Sequence, residues 1–176
     1  MNEPISRLAT RSRPILLPQP LKLGSRVVSI VALIDTNVWV SALLNPKGYP
    51  AQAIEAWRNG RYRVVTSQGL LDELAEVLSR PRIQRKYGLS IATISDYLAL
   101  IHERALIVEP QSQLQLCRDP DDDLVLETAM LGEARYLVSR DDDLKSDSEL
   151  IRQMLFYGCE VISVQRFITL ITISSS

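Results

Sequence analysis

The stretch CRDPDDDLVLE, residues 117–127, holds four aspartates and a glutamate. Carboxylates this close repel one another unless a cation, a helix start or solvent accounts for them. Grouped aspartates can bind a hard divalent cation. Asp119 followed by Pro120 is, however, typical of a helix start, with aspartate as the N-cap and proline in the first helical position. Asp121 and Asp122 then fall in the first turn, where the helix dipole favours anions, so helix formation alone accounts for these three acids.

Asp123 differs from these three aspartates. On a helical wheel it lies beside Leu126 and Met130, at the edge of the apolar face. A carboxylate directed inward needs a partner, so we interpret Asp123 as a metal ligand. Glu127, one turn further on, is interpreted as a flank residue. We therefore expect Asp123→Asn to abolish the chemistry of the site, and Asp121→Asn to reduce mainly the stability of the helix.

The spacing of possible ligands excludes two common kinds of metal site. Counted from Asp119, the acids match positions 1, 3 and 5 of a calcium-binding EF-hand loop, but Leu124 replaces the required glycine and Met130 the required glutamate. A zinc site is not indicated, because the candidate ligands have no suitable spacing: His102, Cys117 and Cys159. The acids are therefore candidates for a different cation with oxygen ligands.

Two further aspartates follow predicted strands. Asp35 ends the apolar run VVSIVALID, and Asp141 follows the run YLVSR. Each of them, taken alone, could be only a helix cap. The carboxyl ends of parallel strands, however, share one edge of a sheet, and ligands bind there. Two strands that deliver acids to the same edge favour a common site.

Glu73 belongs to a predicted helix over residues 67–79, with Ser67 as its N-cap. The apolar stripe of this helix consists of Leu70, Leu71, Leu74, Val77 and Leu78. At about 100° per residue, Asp72 and Glu76 point nearly opposite to the stripe, whereas Glu73 lies at its margin. Of these three acids Glu73 alone is expected to face a neighbouring element, and a solvated flank position is the alternative.

Inward carboxylates from separate parts of the chain repel one another, and no basic residue accompanies each of them. A hard divalent cation, Mg²⁺ or Mn²⁺, is the natural partner of a set of oxygen ligands. Such a cation lowers the pKa of a bound water and stabilises charge on a phosphate. The pattern therefore indicates metal-assisted hydrolysis of a phosphodiester by Asp35, Glu73, Asp123 and Asp141.

Predicted strands and helices alternate along the chain that must position these acids. Runs of β-branched and aliphatic residues predict strands at residues 26–35, 61–67, 106–110, 134–140 and 159–163. Amphipathic segments predict helices at residues 38–44, 51–59, 67–79, 90–105, 119–133 and 148–158. This alternation predicts an α/β fold, a three-layer α/β/α sandwich with a mostly parallel central sheet.

The composition is typical of a soluble protein with one domain. The 176 residues, 46% of them hydrophobic and 23% charged, suffice for one sizeable core. Residues 1–26, rich in proline, are expected to form a flexible extension before a domain over residues 27–176. No apolar run is long enough to span a bilayer, and the absence of a disulfide framework favours a cytoplasmic location. The net charge of −1 gives no overall basic field for nucleic acid, although a local patch would suffice.

Four stretches, in this order, resemble the PIN-domain ribonucleases: LIDTNVWVSALL, SQGLLDELAEVLSRPRI, CRDPDDDLVLETAM and YLVSRDDDL. The resemblance covers residues 27–170 and extends to a bacterial and archaeal branch of toxin components of type II toxin–antitoxin systems. It implies a Mg²⁺- or Mn²⁺-dependent endoribonuclease. It also implies a small antitoxin protein as partner, and a homodimer.

The resemblance also implies roles for individual residues. The four acids of the family fall on Asp35, Glu73, Asp123 and Asp141. Ser139 matches the hydroxyl residue that precedes the fourth acid, and Asn37 matches a frequent polar residue of the first motif. Asp119 and Asp143 are accessory candidates. Leu124 departs from the polar residue or lysine that relatives often carry after the third acid.

RNA needs basic residues for its phosphates. One group follows the Glu73 helix and consists of Arg80, Arg82, Arg85 and Lys86. A second group consists of Arg58, Arg61 and Arg63. A solvated basic surface is the alternative interpretation of both.

Three other functions are compatible with an aspartate after the first strand. A phosphatase of the haloacid-dehalogenase type needs a second aspartate two residues later, where this chain has Asn37. A receiver domain needs an acid pair before the end of the first strand and a late lysine, and the sequence has neither. A PIN-like module that binds protein or RNA without cleavage is the remaining alternative, and the presence of all four acids argues against it.

Overall fold

The computed structural model describes residues 30–111, 117, 120–140 and 148–173. The strands of this part are β1 (Val31–Ile34), β2 (Arg63–Ser67), β3 (Leu106–Val108), β4 (Tyr136–Ser139) and β5 (Glu160–Ser163). The first helices are α1 (Thr36–Leu44), α2 (Tyr49–Arg58), α3 (Gln68–Ser79) and α4 (Pro81–Tyr87). The later helices are α5 (Ile91–Arg104), α6 (Pro120–Leu131), α7 (Ser148–Phe156) and α8 (Val164–Ile173).

The strands form one five-stranded sheet in the order β3-β2-β1-β4-β5, and each neighbouring pair is parallel. Central β1 pairs on both sides, with Leu33 opposite Val65 of β2 and Leu137 of β4. Its apolar residues are buried on both faces, as expected of an inner parallel strand. The predicted α/β sandwich with a mostly parallel sheet is confirmed.

The two faces of the sheet pack into two separate apolar cores. Alternate residues of β1 point to opposite faces, so Ala32 and Ile34 join one core and Leu33 the other. The first core contains Trp39 and Phe167 and is covered by α1, α2, α3, α5 and α8. The second contains side chains of α6 and α7. The sheet is therefore the middle of three layers.

Several elements differ from their predictions. Helix α1 begins at Thr36 instead of residue 38, because the side chain of Asp35 caps it directly after β1. Pro50 in the first turn of α2 starts that helix at Tyr49, before the predicted start at residue 51. The basic segment after α3 is itself a helix, α4, and the unassigned segment after β5 is α8. Among the helices that the structure describes, none is long and apolar enough to cross a membrane.

Small and hydroxyl residues hold α6 against the sheet. Ser67 occupies the N-cap of α3 without the predicted capping bond; its hydroxyl instead accepts from Thr128 Oγ1 at 3.0 Å, and both side chains are fully buried. A Cβ on Gly132 would lie 2.2 Å from Val65 Cγ2, so only glycine lets the end of α6 approach β2 so closely. These contacts fix the position of the first turn of α6 relative to the carboxyl ends of β1 and β2.

Candidate active site

A cleft of about 480 Å³ lies at the carboxyl edge of the sheet, between the ends of β1 and β4 and helices α3 and α6. We call it the acidic cleft. Its acids are Asp35, Asp72, Glu73, Glu76, Asp121 and Asp122. Its apolar lining includes Leu33, Leu70, Leu124, Leu137 and Leu150. The edge at which the sequence predicted a site is therefore rich in carboxylates.

Asp35 lies directly after β1, and its backbone N–H still bonds to Val138 O of β4 at 3.0 Å. One carboxylate oxygen, Oδ1, accepts from Asn37 N at 3.0 Å and so caps α1. The other, Oδ2, accepts from Ser139 Oγ at 2.6 Å. Asp35 therefore caps α1 and at the same time lines the acidic cleft.

Ser139 is buried at the end of β4, and the structure brings its hydroxyl to Asp35. Its hydroxyl holds one oxygen of a cleft carboxylate in place. Asn37 contacts Asp35 through its backbone N–H, and its side chain is exposed. Of these two accessory candidates, Ser139 thus contacts a site carboxylate through its side chain.

Glu73 faces the acidic cleft from the second turn of α3. Thr36 Oγ1 donates to Glu73 Oε2 at 2.9 Å. The residue as a whole is exposed, but its carboxyl group lies against the protein, and this burial raises its pKa above the ordinary value. The hydrogen bond from Thr36 lowers the pKa, whereas the nearby charges of Asp35, Asp121 and Glu76 raise it. Carboxylates from the end of β1, from α6 and from α3 itself are therefore close enough to repel Glu73.

Sequence reasoning missed Thr36. The residue is 9% exposed and begins α1, and its partner lies 37 positions away in the chain. The signal was the middle hydroxyl of the DTN run, directly after a strand-end aspartate. That position predicts proximity to the carboxyl edge, but not which carboxylate the hydroxyl would meet.

The acids of α6 that line the acidic cleft are not the one that the sequence predicts as a metal ligand. Asp121 and Asp122 line the cleft, and Asp123 is not among its lining residues. Asp123 is 8% exposed, and its Oδ1 accepts from the backbone N–H of Cys117 at 2.8 Å. The helical wheel correctly indicated that Asp123 leaves solvent, and the backbone amide of Cys117 is one of its partners. The interpretation of Asp121 and Asp122 as helix-start residues alone was incomplete.

Glu127, interpreted as a flank residue, is instead 8% exposed, and this interpretation was wrong. Its Oε1 accepts from the backbone N–H of Gln111 at 2.6 Å. Asp123 and Glu127 lie one turn apart on α6, so their carboxylates bind the chain at two points before the helix, Gln111 and Cys117. We call these two residues the anchoring acids. They connect the segment that follows β3 to α6.

Two acids of α3 expected to point away from neighbouring elements also line the acidic cleft. Asp72 accepts from Gln68 Nε2 at 2.8 Å. Glu76 forms an exposed ion pair with Arg80 across 3.2 Å. Among the contacts of the described residues, Glu73 alone of the three bonds to a neighbouring element, as the helical wheel predicted, since Asp72 and Glu76 bond within α3 and its C-cap.

The remaining predicted acids, Asp119, Asp141 and Asp143, lie outside the described residues. Within the described residues no group of three or more His, Cys, Asp or Glu side chains is close enough together to hold a metal ion. The described donors of the acidic cleft are nevertheless carboxylate oxygens, the kind that Mg²⁺ and Mn²⁺ prefer. Burial chiefly raises the pKa of Glu73, the charges of Asp35, Asp121 and Glu76 add to it, and a cation would relieve the repulsion among these carboxylates. The residue types therefore fit a hard divalent cation.

The two basic groups belong to different elements of the fold. The first follows α3: Arg80 pairs with Glu76, which lines the acidic cleft, and Arg82 is exposed on α4. Arg85 bonds to Pro81 O at 3.2 Å, and Lys86 Nζ lies 5.1 Å from the ring centre of Tyr87. The second group lies at the opposite, amino edge, where Arg63 begins β2. It consists of Arg58, Arg61 and Arg63 and is not brought to the cleft.

Comparison with known proteins places this arrangement in a family. The profile of a family described as PIN domain matches residues 31–143, which include the described cleft acids. An uncharacterized protein of Methanocaldococcus jannaschii is 30% identical over 119 residues, 68% of this chain and 76% of the relative.

Proposed function

This chain belongs to the PIN-domain family, whose members are generally nucleases, and we propose that it is a Mg²⁺- or Mn²⁺-dependent endoribonuclease. We further propose that it is the toxin component of a type II toxin–antitoxin system. One observation carries the nuclease proposal: carboxylates from the end of β1, from α3 and from α6 converge on one cleft at the carboxyl edge of the sheet. Family membership also removes the phosphatase and receiver alternatives.

Four described carboxylates would hold the cation: Asp35, Glu73, Asp121 and Asp122. Asp141 joins them on the strength of the resemblance, and Asp119 and Asp143 remain accessory candidates. When bound, the cation lowers the pKa of a water ligand and stabilises charge on the phosphate. We propose Asp121 and Asp122 in place of Asp123, which the sequence assigned to this set, because these two line the cleft and Asp123 does not.

The chain's own side chains orient the site and move the proton. Ser139 holds Asp35 Oδ2, so this carboxylate keeps one orientation toward the cleft. Glu73 is proposed to accept a proton from the attacking water. The hydrogen bond from Thr36 Oγ1, which holds this carboxylate at the cleft, supports that role.

We propose that RNA phosphates contact the basic group beside the cleft, namely Arg80, Arg82, Arg85 and Lys86. Each phosphate contact adds to the salt dependence of binding. The double substitution of Arg82 and Arg85 by alanine should therefore weaken RNA binding and reduce the slope of log K against log salt by about 1 to 2 units. Titration of a fluorescent RNA at several salt concentrations measures both.

A matched control for the basic group lies at the other edge of the sheet. Arg61 and Arg63 are exposed at the start of β2, and their double substitution by alanine removes the same charge. It should leave the salt slope within error of the wild type. Equal slopes for the two double variants would contradict the proposed path of the RNA.

We also propose a small antitoxin as partner, a homodimer and a cytoplasmic location, where RNA is available. The support for these three is the resemblance to the toxin branch. A small reading frame directly beside the gene, whose product restores growth when the chain is expressed, would support the toxin role. Growth unaffected by expression of an active nuclease would oppose it.

The nuclease proposal is tested by incubating purified protein with total RNA, with Mn²⁺, with Mg²⁺ and with a chelator. Cleavage should require the cation and should leave 5′-phosphate ends. Asp35→Asn should abolish it, whereas Asp96→Asn, an exposed aspartate of α5, should cleave as fast as the wild type. Equal rates for wild type and Asp35→Asn would contradict the scheme. RNA binding without cleavage by the wild type would favour the non-catalytic alternative.

A further inference from the structure

Thr36 is fixed in place before any ligand binds. It is the first residue of α1, and the capping bond from Asn37 N to Asp35 defines the backbone on both of its sides. Its side chain is 9% exposed and β-branched, so few rotamers are open to it. At the first position of a helix no preceding turn offers a carbonyl to the hydroxyl. The hydroxyl is therefore directed across the cleft, to Glu73.

Glu73, by contrast, is a flexible side chain in an unfavourable field. It has three rotatable bonds, and the charges of Asp35 and Asp121 oppose its carboxylate in the absence of a cation. Repulsion alone would turn the carboxylate out toward solvent. The hydrogen bond from Thr36 Oγ1 to Oε2, 2.9 Å long, opposes that movement and selects the oxygen that faces α1.

The same device occurs twice in the cleft. Ser139 Oγ donates to Asp35 Oδ2 at 2.6 Å, and Thr36 Oγ1 donates to Glu73 Oε2 at 2.9 Å. In each pair a buried hydroxyl from one element holds a carboxylate of another element. Hydrogen bonds of this kind orient the ligands of a metal and commonly change its affinity by about 10- to 100-fold.

We propose that Thr36 is a positioning residue for Glu73, and that its hydroxyl holds this carboxylate in the orientation that binds the divalent cation. The inference rests on the proposed function, because it requires that Glu73 be part of a cation site. It assigns to the middle residue of the DTN run a role separate from those of Asp35 and Asn37.

The test compares three substitutions at Thr36 by Mn²⁺ titration, followed by electron paramagnetic resonance. Thr36→Val keeps the branched shape and removes the hydroxyl, and it should weaken Mn²⁺ binding about 10-fold. Thr36→Ser keeps the hydroxyl and should bind within about twofold of the wild type. Thr36→Ala gives a second variant without the hydroxyl in case the valine variant does not fold. Thermal unfolding without metal provides the folding control for all three.

A double-mutant cycle separates positioning from packing. In a Glu73→Gln background, Thr36→Val should change Mn²⁺ affinity by less than about twofold, because its effect acts through the carboxylate. Three results would overturn the inference: an unchanged affinity in Thr36→Val, an equal loss in Thr36→Ser, or a full effect in the Glu73→Gln background. If the wild type itself binds no Mn²⁺, the proposed function fails as well. If the wild type binds Mn²⁺ and cleaves RNA but Thr36→Val behaves identically, the inference alone fails.

Discussion

Two pairs of acids on α6 carry the same charge and differ in what they contact. Asp121 and Asp122, in the first turn, line the acidic cleft. The anchoring acids, Asp123 and Glu127, are 8% exposed each and bind backbone amides of the segment before the helix. A step of one residue, about 100° around the helix, separates the two uses. Burial of an acid therefore does not identify a metal ligand until its partner is known.

The comparison predicts that removing charge slows RNA cleavage strongly in one pair and only slightly in the other. The double variant Asp121→Asn, Asp122→Asn should lose at least about 100-fold in Mn²⁺-dependent RNA cleavage, because neutral amides are poor ligands for a hard cation. The matched variant Asp123→Asn, Glu127→Gln loses the same charge but keeps oxygen atoms that can accept the two amides. Its cleavage rate should stay within about fivefold of the wild type.

Initial rates on one RNA, measured at saturating Mn²⁺, give this comparison. Both variants change the net charge equally, so a difference between them cannot come from the net charge of the protein alone. Similar losses in both would break the distinction between the two pairs. A larger loss in the anchoring pair would restore the first interpretation of Asp123.

Truncation to alanine should destabilise the fold more at the anchoring acids than at Asp121 and Asp122. Asp123→Ala and Glu127→Ala leave the amides of Cys117 and Gln111 without these acceptors. Each should lower the free energy of unfolding by about 1.5–3 kcal/mol, as for other hydrogen bonds to charged groups. For a chain of this size the unfolding midpoint falls by about 2–4 °C per kcal/mol.

The alanine variants of Asp121 and Asp122 provide the control for stability. These residues lie in the first turn, where an acid stabilises the helix dipole by about 0.3–1 kcal/mol, and the loss of repulsion in the cleft offsets part of it. Their midpoints in metal-free buffer should therefore stay within about 3 °C of the wild type. Denaturation followed by circular dichroism would refute this if they unfold as early as Asp123→Ala.

Gly69→Ala should give the smallest effect. A Cβ on Gly69, in the first turn of α3, would lie 2.9 Å from Leu124 Cδ2, the end of a flexible side chain next to Asp123. Leu124 can turn away, and alanine favours the helix, so stability should change by less than about 1 kcal/mol. Cleavage should fall only a few-fold as the cleft wall moves. A loss as large as that of Asp121→Asn, Asp122→Asn would show that Leu124 sets the position of the first-turn acids.

The sequence was sufficient for the layers of the fold and for the edge at which the site lies. A run of buried β-branched residues ending at Asp35 predicts an inner parallel strand, and such strands meet ligands at their carboxyl ends. It indicated Ser139 only through the resemblance, and it did not predict the contact between Ser139 and Asp35. Arg63 could have been assigned to the opposite edge from sequence, because it stands at the start of its strand and not at the end.

The rest depended on tertiary geometry. The bond between Thr36 and Glu73 joins helices separated by a strand and another helix, and no local pattern encodes it. The helical wheel predicted the burial of Asp123 but not its bond to the amide of Cys117, because that amide belongs to a segment whose sequence has no regular periodicity. The burial of Glu127 was not predicted for the same reason, because the amide that it binds, that of Gln111, lies in the same segment. Local patterns thus predict which side chains leave solvent, and tertiary contacts decide what those side chains do.

The central claim is that the first-turn acids of α6, and not the anchoring acids, belong to the cation site. Calorimetric titration of Mn²⁺ into the two matched double variants tests it directly. Asp121→Asn, Asp122→Asn should bind Mn²⁺ at least about 10-fold more weakly than the wild type, and Asp123→Asn, Glu127→Gln should bind within about twofold of it. Wild-type affinity in the first variant together with weakened binding in the second would contradict the account.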